Sequence, residues 1–371
     1  MSLRKRTILF LLVTVVLLGF FSNPLNLKGE KSPDPKSIKR IVFKKVMEIK
    51  EKEDSFFFQY PSMIQFDTQG NFYVLDNNQV MKFLKTGAFV GNFTKKGEGP
   101  GEIKNISGIQ VVSDTLYIHN NYPSKIIQLD LDGKLKKEMR LSKSDYVQFL
   151  FTLDNKYYFY QSRFPENSPN EKYTEKNFEM YSLSLDGTKV SQVHIYPVKH
   201  YLVRQGSSLG SFEIASFVTT LQGNRYFWVS NTTDYKISCL DLKNNTIIKE
   251  IELDYEKQDV PDRLAKKYSI YEIGLGEKTY KRPAQKYLND ILKLLVYRND
   301  LWVVTSTVDK TKGVRIDVFS QYGQRKNSFF LSLPGHDDYY SSSMYIDGDY
   351  LYTIESPEED DPLIIKYKIA L

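Results

Sequence analysis

Cysteine is nearly absent from this 371-residue chain. Cys239 stands alone, so no intrachain disulfide staples the fold and packing must hold it together. Histidine is scarce too, with four residues, His119, His194, His200 and His336, and none has the His-Glu-x-x-His spacing of a helical zinc site. A surplus of one charge is missing from most of the chain. The net charge is +6, but residues 1–53 hold twelve of the 51 Lys and Arg and five of the 45 Asp and Glu, leaving 39 bases against 40 acids. A body that close to neutral has no general basic face with which to displace phosphate counterions, which argues against nucleic-acid binding.

Beyond the start of the chain there is no long apolar run. Ile8–Phe21 is fourteen residues, short of the roughly 20 needed to span a bilayer as a helix. It follows Arg4-Lys5-Arg6 and precedes Ser22-Asn23-Pro24, so residues 1–22 read as an export signal, either cleaved or kept as a membrane anchor. No small-x-small cleavage site stands out, and no cysteine is near to carry a lipid. Residues 23–40, with Pro24, Pro33 and Pro35, read as a polar tether. The expected location is therefore outside a bacterial cytoplasmic membrane, in the periplasm or at the cell surface. Membrane contact is expected only through residues 8–21, if the signal is retained.

What the chain does have is aromatic residues, with 27 Tyr and 23 Phe, arranged in a recurring phrase. An apolar strand, a turn rich in Asp, Asn and Gly, an aromatic strand and a third strand closing on a second turn recur at intervals of roughly 40–50 residues, the signature of a β-propeller. Copies begin near Ile64, Ile109, Phe149, Thr220, Leu294 and Met344. Each is two hairpins, with Gly, Asn or Asp where the backbone needs positive φ. The sixth copy stops one strand short, while strand 41–49 (Ile41 to Ile49) has no blade of its own. Pairing the two closes the ring and removes two sheet edges. The expectation is an all-β, six-bladed propeller over residues 41–371.

In such a blade the A–B and C–D turns lie on one face and the B–C and D–A connections on the other. Here the first set is short and the second is long: 161–177 is expected as a polar B–C loop, and 94–108, 196–217, 254–292 and 332–341 as D–A connections. Within 254–292, Val260–Tyr268 and Ala284–Leu292 have helical apolar spacing, giving a short helical insertion around 260–292. Elaborate loops on a rigid scaffold are where binding concentrates. Asp76, His119, Tyr122, Arg163, His200, Tyr201, Arg204 and His336 are the candidates on that face. Gly97, Gly99 and Gly101, in Lys95-Lys96-Gly97-Glu98-Gly99-Pro100-Gly101-Glu102, offer a turn or an anion-binding nest. His119, His200 and His336 are also weak metal candidates. His194 reads as packing, and Glu358, Glu359, Asp360 and Asp361 as a solvated acidic loop. The residues require no cofactor.

The stretch Phe66-Asp67-Thr68-Gln69-Gly70-Asn71-Phe72-Tyr73-Val74, the run Gly97–Glu102, Asp300-Leu301-Trp302-Val303 and Asp317-Val318-Phe319 with Gly323 resemble the bacterial six-bladed β-propeller proteins related to NHL-repeat domains. The resemblance implies the fold and export, and related propellers include binding modules as well as lyases and lactonases. No catalytic set carries over, because the matching histidine and carboxylate pattern is not found. Two readings stay open: a binding or scaffold propeller for a peptide, glycan or partner protein, or a metal-assisted lyase or lactonase at the channel mouth of the same face.

Overall fold

Asp67 shows how a blade is made. Its carboxylate accepts the backbone N–H groups of Gln69 and Asn71, both at 2.9 Å, and the Asn71 amide at 3.0 Å. The other end of the Asn71 amide accepts the Lys85 N–H at 3.2 Å, fastening the first turn of the blade to its second. Gly70 takes φ +81° between them, a backbone that a side chain opposes.

The computed structural model describes residues 41–52, 55–141, 147–165, 168–187, 190–333, 343–355 and 361–370. The expected signal and tether, His336, and Glu358, Glu359 and Asp360 lie outside them. Six antiparallel sheets follow in chain order. Blade 1 is built from Pro61–Phe66, Phe72–Asp76, Gln79–Phe83 and Phe89–Asn92. Blade 2 runs from Ile106–Val112 to Leu135–Arg140, blade 4 from Val218–Gln222 to Thr246–Glu252, and blade 5 from Ile291–Tyr297 to Arg325–Leu331. Blade 6 consists of Ser343–Asp347, Tyr350–Glu355 and Leu363–Ala370, and Val42–Ile49 completes it by pairing antiparallel from Val42–Ala370 to Ile49–Ile364. The expected closure is what the structure contains.

The described core divides into six apolar clusters, one for each seam between neighbouring blades. Strand alternation produces this. Along Tyr226–Ser230, Phe227 and Val229 pack into the seam with blade 3, while Trp228 packs into the seam with blade 5. Middle strands are thus buried on both faces and read as continuous apolar runs. Cys239 fills the blade 4–5 seam at 1% exposure; burial pushes its thiol up to about 12, far from thiolate reactivity.

Three expectations are corrected. Blade 3 has five strands, Val147–Leu153, Lys156–Arg163, Lys172–Ser184, Val190–Gln205 and Ser208–Glu213. Of the polar stretch expected to be a loop over 161–177, residues 161–163 and 172–177 are strand, and so is most of the connection expected at 196–217. Tyr196, Val198, His200 and Leu202 alternate as the buried face of the fourth strand, and Pro197 and His200 within it masked that period. The helix over Val260–Tyr268 is found as α1 (Asp262–Ser269), with Pro261 at its N-cap and Leu264 buried. The second helix is absent. Glu272–Leu275 and Lys278–Lys281 form a hairpin, and around Leu288 the backbone pairs instead with 258–260, through Val260 N–H to Lys286 O and Leu288 N–H to Gln258 O. Ile291 and Leu292 already belong to blade 5. A nine-residue apolar pattern has too few turns to hold a helix against such pairing. No helix among the described residues is long and apolar enough to cross a membrane.

Candidate binding cleft

The fifth strand of blade 3 ends at Glu213, and the chain passes through Ile214 and Ser216 into blade 4. The long connection between blades 4 and 5 folds back over this corner. Arg282 Nη2 donates to Glu213 O at 2.9 Å and to Gln285 Oε1 at 2.9 Å, and Gln285 Nε2 donates to Ile214 O at 3.2 Å. The Arg282 guanidinium lies over the Tyr268 ring of α1, 4.4 Å from its centroid, a cation–π contact that also fixes its plane. Tyr280 of the small hairpin donates to Arg204 O at 3.3 Å.

Between these elements is a cleft of about 230 Å³ lined by Glu213, Tyr268, Arg282, Gln285, Tyr287 and Asn289, among others. The Glu213 carboxyl is recessed yet open to solvent. Burial raises it above the usual carboxylate range, while Ser216, Arg282 and Lys176 pull it back. Arg282 Nε is buried without a hydrogen-bond partner. The arrangement presents fixed donors, a carboxylate and two tyrosine rings, which suits recognition of a polar ligand by hydrogen bonding and stacking.

The described residues among those singled out from sequence do not line this cleft. Asp76 has 0% exposure and accepts the backbone N–H of Gln59 at 2.9 and 3.0 Å, and that of Tyr60. It clasps the incoming chain to the end of a strand. Asn120 does the same in blade 2, its Oδ1 accepting Lys104 N–H at 2.9 Å and Asn105 N–H at 2.8 Å. His119 is 1% exposed, packed against Phe149 and Phe159, with Nδ1 on the Ser107 hydroxyl. His200 is 4% exposed against Phe164 and Phe178, with both ring nitrogens unpartnered. Burial lowers each imidazole to about 4, with Lys176 adding to the effect at His200. The two rings thus occupy different aromatic surroundings, and among the described residues no group of three His, Cys, Asp or Glu is placed to hold a metal. Tyr122 and Arg163 are exposed, Tyr201 meets Tyr173 edge-on at 5.2 Å, and the Arg204 N–H donates to Asn170 at 2.6 Å.

The glycine-rich loop holds anions of its own. Gly99 N–H donates to Glu102 at 2.9 Å, Gly101 N–H to Glu138 at 2.7 Å, and Gly97 N–H to Ile103 O at 3.0 Å. A Cβ at Gly97 would stand 2.0 Å from the Glu102 carboxylate, so a side chain there would push Glu102 off the Gly99 N–H. Lys125, with 0% exposure, reaches Gly99 O at 2.9 Å and Glu138 at 3.2 Å. The cleft residues went unnoticed in the sequence because Glu213 and Arg282 meet only through the fold of a long connection; the length of 254–292 was the one signal. The letters of a nucleophile elbow also occur, at Gly206-Ser207-Ser208-Leu209-Gly210, but on a tight hairpin turn where Gln205 pairs with Ser208, not the strand-to-helix turn that chemistry needs.

A family described as a 6-bladed β-propeller, DUF5128, matches residues 42–209. A Bacteroides fragilis protein described as a candidate exported protein has a similar structure, with TM-score 0.50, 15% identity, and coverage of 92% of this chain and 99% of that one. A DUF4221 family member from Bacteroides vulgatus gives TM-score 0.53 at 13% identity, covering 89% of this chain and 97% of its own. No curated protein matches the sequence. At these identities the likeness is one of fold, and the fold is a six-bladed β-propeller.

Proposed function

We propose that this is an extracytoplasmic binding propeller, which takes a segment of a peptide, glycan or partner protein in the cleft between blade 3 and the 254–290 connection. The observation that carries the reading is Arg282. It is held by Tyr268, Gln285 and Glu213 O, and beside it the Glu213 carboxyl lies recessed and accessible. A preorganised guanidinium and carboxylate flanked by tyrosines spends little entropy on binding. The signal-like residues 1–22 support a place outside the cytoplasmic membrane. The alternative, a metal-assisted lyase or lactonase, gains no support from His119 and His200, whose free ring nitrogens are closed off from solvent.

Glycan arrays and displayed peptides, probed with the full chain and with Arg282→Ala, test this. Loss of a ligand in the variant, with the β-sheet circular dichroism spectrum retained, is expected. Ligands bound equally by both proteins would place recognition elsewhere.

A further inference from the structure

The innermost strands of the ring carry almost no charge. Pro61–Phe66, Ile106–Val112, Val147–Leu153 and Val218–Gln222 contain no ionisable residue; Ile291–Tyr297 contributes Lys293, besides Tyr297, and Ser343–Asp347 contributes Tyr345 and Asp347. Ser62, Ser107, Gln148, Thr219, Lys293 and Tyr345 are all second or third in their strands and all at least partly open to solvent. At ~3.3 Å rise per residue they lie within about one residue of the same level, near the mouth framed by the D–A connections. A polar belt with one ammonium group therefore circles the axis.

Four of its other members are engaged through their side chains, Ser62 by its hydroxyl on Leu75 O at 3.3 Å. Tyr345 donates to Ser62 O at 2.7 Å, tying blade 6 to blade 1. The Ser107 hydroxyl meets His119 Nδ1, and Gln148 accepts from Tyr160. Lys293 has no hydrogen bond or ion pair among the described residues; its Nζ stands 4.8 Å from the Tyr345 ring centroid. Asp347, the belt's nearest acid in sequence, is two residues further towards the opposite face, where Lys366 is its cationic neighbour. Burial lowers the Lys293 amine to about 8. An enclosed cation lacking a counter-charge costs stability.

We propose that the axial channel binds a small oxyanion, a carboxylate or a phosphate group, on Lys293 beside Tyr345. This is independent of the cleft at Glu213. The test is calorimetric titration of the full chain with inorganic phosphate and, separately, with glucuronate, for wild type and Lys293→Met. At least one probe should bind the wild type at one site and lose tenfold or more in affinity in K293M, which should melt no lower than wild type because the buried charge is gone. Which probe binds separates a phosphate source from a sugar acid. Trace acetylation read by peptide mass spectrometry gives a second measure on unmutated protein, since the bound probe should shield Lys293 and leave surface lysines unchanged. Absence of binding by both probes, equal binding to K293M, or Lys293 acetylation indifferent to both probes would overturn the proposal.

Discussion

The pair formed by Lys125 and Glu138 beneath the glycine-rich loop allows a quantitative test. Lys125 is wholly buried, the Glu138 side chain is 15% exposed, and their charged atoms are 3.2 Å apart. Glu138→Gln keeps shape and an acceptor for the Gly101 N–H but leaves the ammonium with only Gly99 O and a neutral amide. Stranding a buried charge costs about 3–5 kcal/mol, and the retained carbonyls put this case near 3 kcal/mol. Lys125→Met leaves the carboxylate its Gly101 hydrogen bond, partial solvent access and Arg140 at 3.9 Å, so about 1–2 kcal/mol is expected. The double variant strands no charge. It should be more stable than E138Q alone, giving a coupling of about 2 kcal/mol in a double-mutant cycle. Equilibrium urea unfolding, followed by both tryptophan fluorescence and far-UV circular dichroism, measures all four proteins. Additive losses, or an E138Q loss below about 0.5 kcal/mol, would refute the account of the loop as an internally neutralised site.

Ring closure predicts that Phe43→Ala, which removes a ring 4% exposed and stacked 6.4 Å from Phe329, costs about 3–5 kcal/mol. Val46→Ala in the same strand, at 47% exposure, should cost within about 0.5 kcal/mol; equal thermal melts would contradict the closure. His119 is held neutral, its folded value near 4 against an ordinary 6.5. The unfolded chain binds the extra proton between those values, so stability should fall as pH drops from about 6.5 to 4, by about 3 kcal/mol in total. His119→Phe should remove that share of the slope while the share of His200, also lowered to about 4, remains, and a curve of unchanged slope would show that the imidazole is not sealed.

The architecture was legible because the turn chemistry repeats. Asp67, Gly70 and Asn71 declare their roles within five residues of sequence, and the unpaired strand at 41–49 declared its missing neighbour. The site was not legible in this way. Asp76 and His119 looked functional because polar residues at strand ends usually face solvent, yet one clasps backbone N–H groups and the other is sealed by Phe149 and Phe159. Glu213 and Arg282 looked ordinary, since neither a local period nor a motif links residues that meet through a 69-residue detour. Lys293 looked like one lysine among many; its solitude emerges only when six strands are placed around one axis.

Strand Val42–Ile49 pairs with Leu363–Ala370, and residues 50–362 intervene. During synthesis at ~5–20 residues per second the earlier strand waits on the order of 15–60 s for its partner to be made. Over that interval Ile49 can meet only blade 1, Phe43 lacks its neighbours in blades 5 and 6, and the strand's backbone is an open edge able to recruit a second chain. The first blade strand to emerge is thus the last to be satisfied. The protein's exposure to misassembly is set by the time to its final residues, and a factor that shields this one segment would protect the whole ring.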